Sequence, residues 1–483
     1  MSIKELSERF VKFRLGLYST FVHYSDAIMN VLDALSGNQG ASSVVELSLH
    51  PLFGRTYSSL ARAIGGLFDS QASASVLREQ FEAEPQRHHL IASMVPPAKS
   101  RPFWLFATDV TRQPRQFAET LADRGVVHAP NAVLSNKPIS IGHQYSVLAA
   151  LPEKETKSSP PWLIPLSVQR VASEQSSLEV GAEPLHQLLE QPQSPFEGQL
   201  CVHVGDTAYS ALEYLASGKA KSDLVQIARL RGNRVLYSPA PAQENSPSVG
   251  HSTWYGARFD LKDSSTWSKP EERVWSRYTS HKGKTYQVEI QAWNGLLMRG
   301  KKGIPMHQFP LKLIRIRLFR EEGTLLFKRP LWLIVAGERA QELSLVEIYQ
   351  AYRQRFDLEH FFRFGKQKLL MDKYQTPDVE HEENWWQLVT LAYLQLYLAA
   401  PLAQNMPRPW ESQNAIESSA LFSPAKVQRD FLRIIQQIGT PAQRPKPRGF
   451  SPGRQKGEQQ QARKKQKVIF KQKKKTTAEK KIA

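Results

Sequence analysis

Tyr352-Arg353-Gln354-Arg355-Phe356-Asp357-Leu358-Glu359-His360-Phe361-Phe362-Arg363-Phe364-Gly365-Lys366 has the composition of a helix, and the pattern across the surrounding residues 344–371 predicts one long helix. At about 100° of rotation per residue, Tyr352, Arg355, Glu359 and Lys366 fall within an arc of about 60°. One narrow stripe thus carries a phenol, a guanidinium, a carboxylate and an ammonium. Arg355, Glu359 and Arg363 also follow one another at i,i+4, the spacing of a solvated salt-bridge ladder worth a few tenths of a kcal/mol. The remaining faces are rich in Phe356, Leu358, Phe361, Phe362 and Phe364. A helix so apolar is expected to be mostly buried, and a charged stripe on a buried helix is expected to face a cleft.

Two carboxylates upstream occupy positions that could meet such a stripe. Phe103-Trp104-Leu105-Phe106-Ala107 is an apolar, strand-like run followed by Thr108 and Asp109, and Leu200-Cys201-Val202-His203-Val204 is another, ending in Gly205 and Asp206. Parallel neighbouring strands would bring both aspartates to one rim of a sheet. An Asp at that place also begins turns and caps helices, so the pair alone leaves both readings open.

The rest of the chain divides by periodicity. Residues 1–95 carry apolar positions at three- and four-residue spacing (Phe10, Phe13, Leu17, Phe21; Ile28, Val31, Leu32, Leu35) and read as a helical domain, either a packing module or a DNA-binding one. Residues 96–239 alternate strand runs with helix-compatible stretches, the pattern of an α/β core. The strand pair expected near residues 224–227 and 234–237 flanks the basic run Arg229-Leu230-Arg231-Gly232-Asn233-Arg234. Residues 240–329 lose the helical period and read as a β-rich insertion. Residues 330–439 return to the core and continue as helices, and residues 440–483 form a tail.

That tail explains most of the charge. The 483-residue chain has a net charge of +19, with 64 Lys or Arg against 45 Asp or Glu. Residues 440–483 hold fifteen of these cations and two acids, a net +13, which leaves the remainder at +6. Rich in Lys, Arg, Gln, Pro and Gly, the tail is expected to be disordered and to hold polyanions, DNA included, through salt-sensitive contacts. The single cysteine, Cys201, excludes an internal disulfide and fits a reducing compartment. The most apolar helical run, residues 388–403, is too short for a bilayer and contains Thr390, Gln395 and Pro401. A cytoplasmic protein with no membrane partner is the expectation.

The spacing Tyr352-x2-Arg355-x3-Glu359-x6-Lys366, preceded by two strand-end aspartates, resembles the signature of one large branch of DDE transposases encoded by bacterial insertion sequences. The resemblance extends over about residues 100–400, the β-rich insertion before the glutamate included. It implies an RNase H-like mixed sheet flanked by helices, with Asp109, Asp206 and Glu359 as the catalytic and metal-binding triad. Three oxygen donors without clustered Cys or His suit Mg²⁺, with Mn²⁺ as a substitute, and two such ions could activate a nucleophile and stabilise a leaving oxygen. Tyr352, Arg355, Arg363 and Lys366 would contact the DNA backbone, together with Arg229, Arg231 and Arg234. Trp254, Trp267, Trp275 and Trp293 are the insertion's candidates for handling a flipped base, and Gly250 to Gly256 is less basic than the family pattern. The implied partners are double-stranded DNA at inverted-repeat ends, target DNA and a second copy of the chain in a synaptic dimer, nucleoid-associated when bound. A catalytically inactive DNA-binding descendant and an RNase H-like nuclease with another substrate are the alternatives.

Overall fold

The computed structural model describes residues 2–128, 138–156, 159–192, 194–241, 254–280, 283–406, 421–445, 455, 457, 459 and 461–470. Five helices open the chain: α1 (Ile3–Ser19), α2 (Ser25–Ser36), α3 (Val44–Leu47), α4 (Tyr57–Gly65) and α5 (Ala74–Ala92). A capping box starts α1, with the Ser2 hydroxyl accepting from the Glu5 backbone and the Glu5 carboxylate accepting from Ser2 N–H at 2.7 Å.

The α/β part follows as β1 (Trp104–Pro114), β2 (Gly125–His128), β3 (Ile139–Ala150), β4 (Ile164–Arg170), α6 (Ser177–Glu190), β5 (Cys201–Gly205), α7 (Leu212–Ser217) and β6 (Leu224–Leu230). Next come β7 (Val235–Pro239), β8 (Tyr255–Asp260), β9 (Glu272–Thr279), β10 (Thr285–Leu296), β11 (Leu311–Phe319) and β12 (Leu331–Ala336). Among the described residues four α-helices follow: α8 (Leu345–Gln354), α9 (Phe356–Lys368), α10 (Val379–Asn405) and α11 (Pro424–Ile438).

One ten-stranded sheet runs in the order β2-β3-β1-β5-β6-β12-β11-β10-β9, with β4 also paired to β3. β1, β5 and β6 are mutually parallel and the other pairings are antiparallel. This is an RNase H-like α/β fold with a helical N-terminal region and a β-rich insertion. Most of the insertion joins the central sheet: β11 pairs with β12, β10 with β11 and β9 with β10, while β8 pairs with β7 apart from it. Apolar side chains on one sheet face, such as Val204, Ile227, Leu333 and Ile290, join α8 to α11 and the N-terminal helices in one core. Leu230, Trp332, Ile334, Leu313 and Trp293 form a second core on the opposite face.

Four local expectations are corrected. The helix expected over residues 344–371 is two helices meeting at Arg355, where i→i−3 bonds (Arg355 N–H to Tyr352 O, 3.3 Å; Leu358 N–H to Arg355 O, 3.0 Å) replace the α-helical ones. β6 and β7 do not pair with each other: β6 lies between β5 and β12, and β7 pairs with β8 in a separate two-stranded sheet. Asp109 is not at a strand end, because β1 continues to Pro114 along its antiparallel partner β3. Finally, the tail is not wholly disordered. Thr440 and Gln443 bond to Asp33 and Asp26 of α2, and Gln466 and Ile469 donate to Glu119 O and Arg124 O, both at 2.8 Å. β2 is an edge strand with unpaired backbone groups, and Val468-Ile469-Phe470 is the tail's one apolar cluster, so that segment has both a template and a reason to dock.

Candidate active site

Strand register brings the two aspartates together. In the parallel ladder Ala107 pairs with Val204; continuing it by two residues sets Asp109 opposite Asp206. β5 ends at Gly205, so Asp206 leaves the sheet beside a strand that continues, and its Oδ1 accepts from Ala208 N–H at 2.8 Å in the turn that follows. Asp109 Oδ1 accepts from Val110 N–H at 2.9 Å.

The α8–α9 junction lies over these residues. Arg355 Nη1 donates to Asp109 Oδ2 at 3.2 Å, and its Nη2 lies 3.5 Å from Glu359 Oε1. The kink serves this contact, because Arg355 is at once the C-cap of α8 and the N-cap of α9. Its side chain is 9% exposed and its Nε has no hydrogen-bond partner among the described residues. Lys366 Nζ, two residues from the end of α9, donates to Thr111 Oγ1 at 2.8 Å and to Arg112 O at 3.0 Å, clasping β1 beyond Asp109. Glu359 is exposed and Tyr352 is buried. Phe356, expected to be buried, is 49% exposed, with Arg355 over its ring.

Electrostatics ties these groups into one site. Burial pushes the Asp109 carboxyl up to about 6; Arg355 and the Val110 N–H pull it down, and the negative charges of Asp206 and Glu359 raise it again. Burial also raises the Tyr352 hydroxyl, against Arg355 and Arg229, with Asp206 adding to the rise. Desolvation lowers the Lys366 ammonium. Arg229 of β6 thus belongs to the neighbourhood of Tyr352. Arg231 and Arg234 sit in the exposed turn after β6, and Arg363 is exposed on α9; none of the three side chains makes an ion pair or hydrogen bond among the described residues.

A layer beneath the aspartates escaped the reading of the sequence. His203 is fully buried in β5, its Nε2 is 2.9 Å from Thr108 Oγ1, and its Nδ1 meets the Tyr214 hydroxyl. Burial depresses its pKa to about 3, so the ring is neutral and braces β1 against β5. The signal was available, since His203 interrupts an otherwise apolar strand. Of the four tryptophans, Trp293 is buried and donates to Ser268 O, Trp267 donates to Asp260 O, and Trp254 stacks on His307. Residues 250–253, in the segment from Gly250 to Gly256, lie outside the described residues.

The sequence matches the family described as DDE superfamily endonuclease over residues 18–298, more than half of the chain. The chain belongs to that family. The match contains Asp109 and Asp206 and ends before Glu359, so the tyrosine-arginine-glutamate-lysine branch rests on the motif alone. No curated protein matches the chain.

Oxygen donors fit a hard divalent cation, and a cation would offset the burial, and the lesser repulsion from Asp206 and Glu359, that raise Asp109. The arrangement is not yet a cage. Among the described residues no group of three or more His, Cys, Asp or Glu stands close enough to hold a metal ion. The Arg355 guanidinium instead bridges Asp109 and Glu359. Among the same residues, no helix is long and apolar enough to cross a membrane.

Proposed function

We propose that this DDE superfamily endonuclease is a transposase that cuts the inverted-repeat ends of its own element and joins them to target DNA. The observation that carries the reading is the register alignment of Asp109 with Asp206 on parallel strands, with Arg355 linking Asp109 to Glu359. Asp109, Asp206 and Glu359 would hold two Mg²⁺ or Mn²⁺ ions, which supply an activated oxygen nucleophile and charge stabilisation of the leaving oxygen. Arg355, bonded on one side only to carboxylates, can transfer its guanidinium to a phosphate, since both are oxyanions that its planar fork fits. Lys366 holds the β1 backbone just beyond Asp109 and sets a positive charge for the strand flanking the scissile bond. Buried Tyr352 supports Arg355 from beneath, and Arg229 extends the basic border. Two ends must be joined, so the working form is a dimer on DNA.

The test incubates the full chain with DNA carrying the element's ends, in Mg²⁺ and in EDTA, and repeats it with Asp206→Asn. End-specific, metal-dependent nicking that the variant loses is the expected result. Binding without cleavage in any divalent metal would establish an inactive descendant. Equal cleavage of DNA without the ends would establish a nuclease of other specificity. Either outcome refutes the proposal.

A further inference from the structure

A cavity of about 520 Å³ lies between α8, the end of β9 and the loops before β1 and after β3. It shares the α8–α9 junction with the carboxylate site but occupies the other flank. At about 100° of rotation per residue, Arg353 and Asp357 lie roughly opposite Arg355 and Glu359. Arg353 lines the cavity and Asp357 accepts from the wall residue Lys154 at 2.8 Å, whereas Arg355 reaches Asp109. Walls drawn from four separate segments make a concave site of the size that takes small molecules.

The charges on these walls are unevenly matched. The lining carboxylates are all engaged: Glu153 accepts from the Lys99 and Ser100 backbone N–H groups at 2.6 and 3.0 Å, Glu155 pairs with Lys99, and Glu347 accepts from the Ser344 N–H and hydroxyl at 2.8 and 2.6 Å. Lys154 is spent on Asp357. The lining guanidiniums, by contrast, have no carboxylate bonded to them among the described residues. Arg101 donates to three neutral acceptors, Phe103 O, Leu151 O and Gln354 Oε1, at 2.8–3.2 Å, and burial pulls its guanidinium down to about 10. Arg353 lies 3.5 Å from the centroid of the Tyr278 ring and 5.6 Å from that of Tyr349, both neutral. Arg277, exposed near the end of β9, makes no hydrogen bond or ion pair with its side chain among the described residues.

We propose that this cavity binds a small phosphate-bearing compound, with its anionic groups on Arg101, Arg277 and Arg353. A guanidinium offers paired N–H donors that match phosphate oxygens, and such charge-assisted bonds are about twice as strong as neutral ones. A cation buried among neutral acceptors gains most from an anion, because water is kept from solvating it. The volume leaves room for an organic group attached to the phosphate. A duplex carries its phosphates on a convex rod, which a concave site suits less well than a free compound. The inference goes beyond the function proposed above and does not depend on it.

The test titrates pyrophosphate into the full chain by calorimetry in metal-free buffer. Binding at one saturable site is the expected result, weakened about tenfold or more by Arg277→Gln and by Arg353→Gln. Arg277→Gln breaks no side-chain bond among the described residues, so its loss of binding is not a loss of fold. Arg353→Lys keeps the charge without the planar fork, and its affinity should fall between those of the wild type and Arg353→Gln. These substitutions leave the basic tail and the carboxylate site intact, so an affinity unaltered in both glutamine variants would place the anion elsewhere and overturn the proposal. Absence of saturable binding overturns it as well. So does release of pyrophosphate by an equimolar short duplex, which would assign these guanidiniums to the path of DNA.

Discussion

Replacing Asp109 by Asn should make the protein more stable at neutral pH while abolishing metal-dependent cleavage. Its carboxyl is raised from 3.8 to about 6 by burial and by Asp206 and Glu359, even after Arg355 and the Val110 N–H have pulled it down. A carboxylate raised in the folded state favours folding only while protonated. Below pH ~3.8 folded and unfolded chains are protonated alike, and as pH climbs toward 6 the unfolded chain ionises more readily, so folding stability falls. About two pKa units correspond to roughly 3 kcal/mol of strain above pH 6, an upper figure for a side chain that keeps 21% of its surface exposed. Asn keeps the size and can still accept from Val110. For 483 residues unfolding together, an entropy of about 1 kcal/mol per kelvin turns that energy into a rise in Tm of up to about 3 °C. Thermal unfolding of both proteins in EDTA at pH 4, 6 and 7.5 measures it. The variant should gain little at pH 4 and most at pH 7.5, and Mg²⁺ should raise the Tm of the wild type only. A variant equally or less stable than the wild type at pH 7.5, or a difference that ignores pH, refutes the reasoning.

Lys366→Met removes two hydrogen bonds from an ammonium to β1 and should slow cleavage at least tenfold with little loss of DNA affinity at low salt; single-turnover nicking measures it. Buried Cys201, its thiol pushed up to about 12 by desolvation, should resist a thiol reagent at pH 8 until denaturant is added, as absorbance of the released chromophore would show. Arg14 and Asp33 form a buried ion pair at 2.5 Å, which Gln395 of α10 joins. Arg14→Met strands the carboxylate and should cost about 3–5 kcal/mol in denaturant unfolding.

How much of this was readable in the chain varies from one residue to the next. The triad candidates, the β-rich stretch and the helical start were legible because each is a local pattern: a carboxylate after an apolar run, loss of the helical period, a three-and-four repeat. The break at Arg355 was not, since neither Pro nor Gly marks it and the residue bends the helix only where Asp109 waits across a gap in sequence of 246 residues. The role of His203 was equally hidden, because its partners Thr108 and Tyr214 come from other elements.

Residue types and their spacing determined the family of chemistry and the α/β class, since alternation and helical period follow from backbone geometry alone. Tertiary structure decided the rest. Register set Asp109 beside Asp206, and strand order made β9 to β11 of the insertion an extension of the core sheet while β8 paired with β7 apart from it. Pairing partners and sheet faces are properties of contacts between distant segments, and these exist only once the chain has closed on itself.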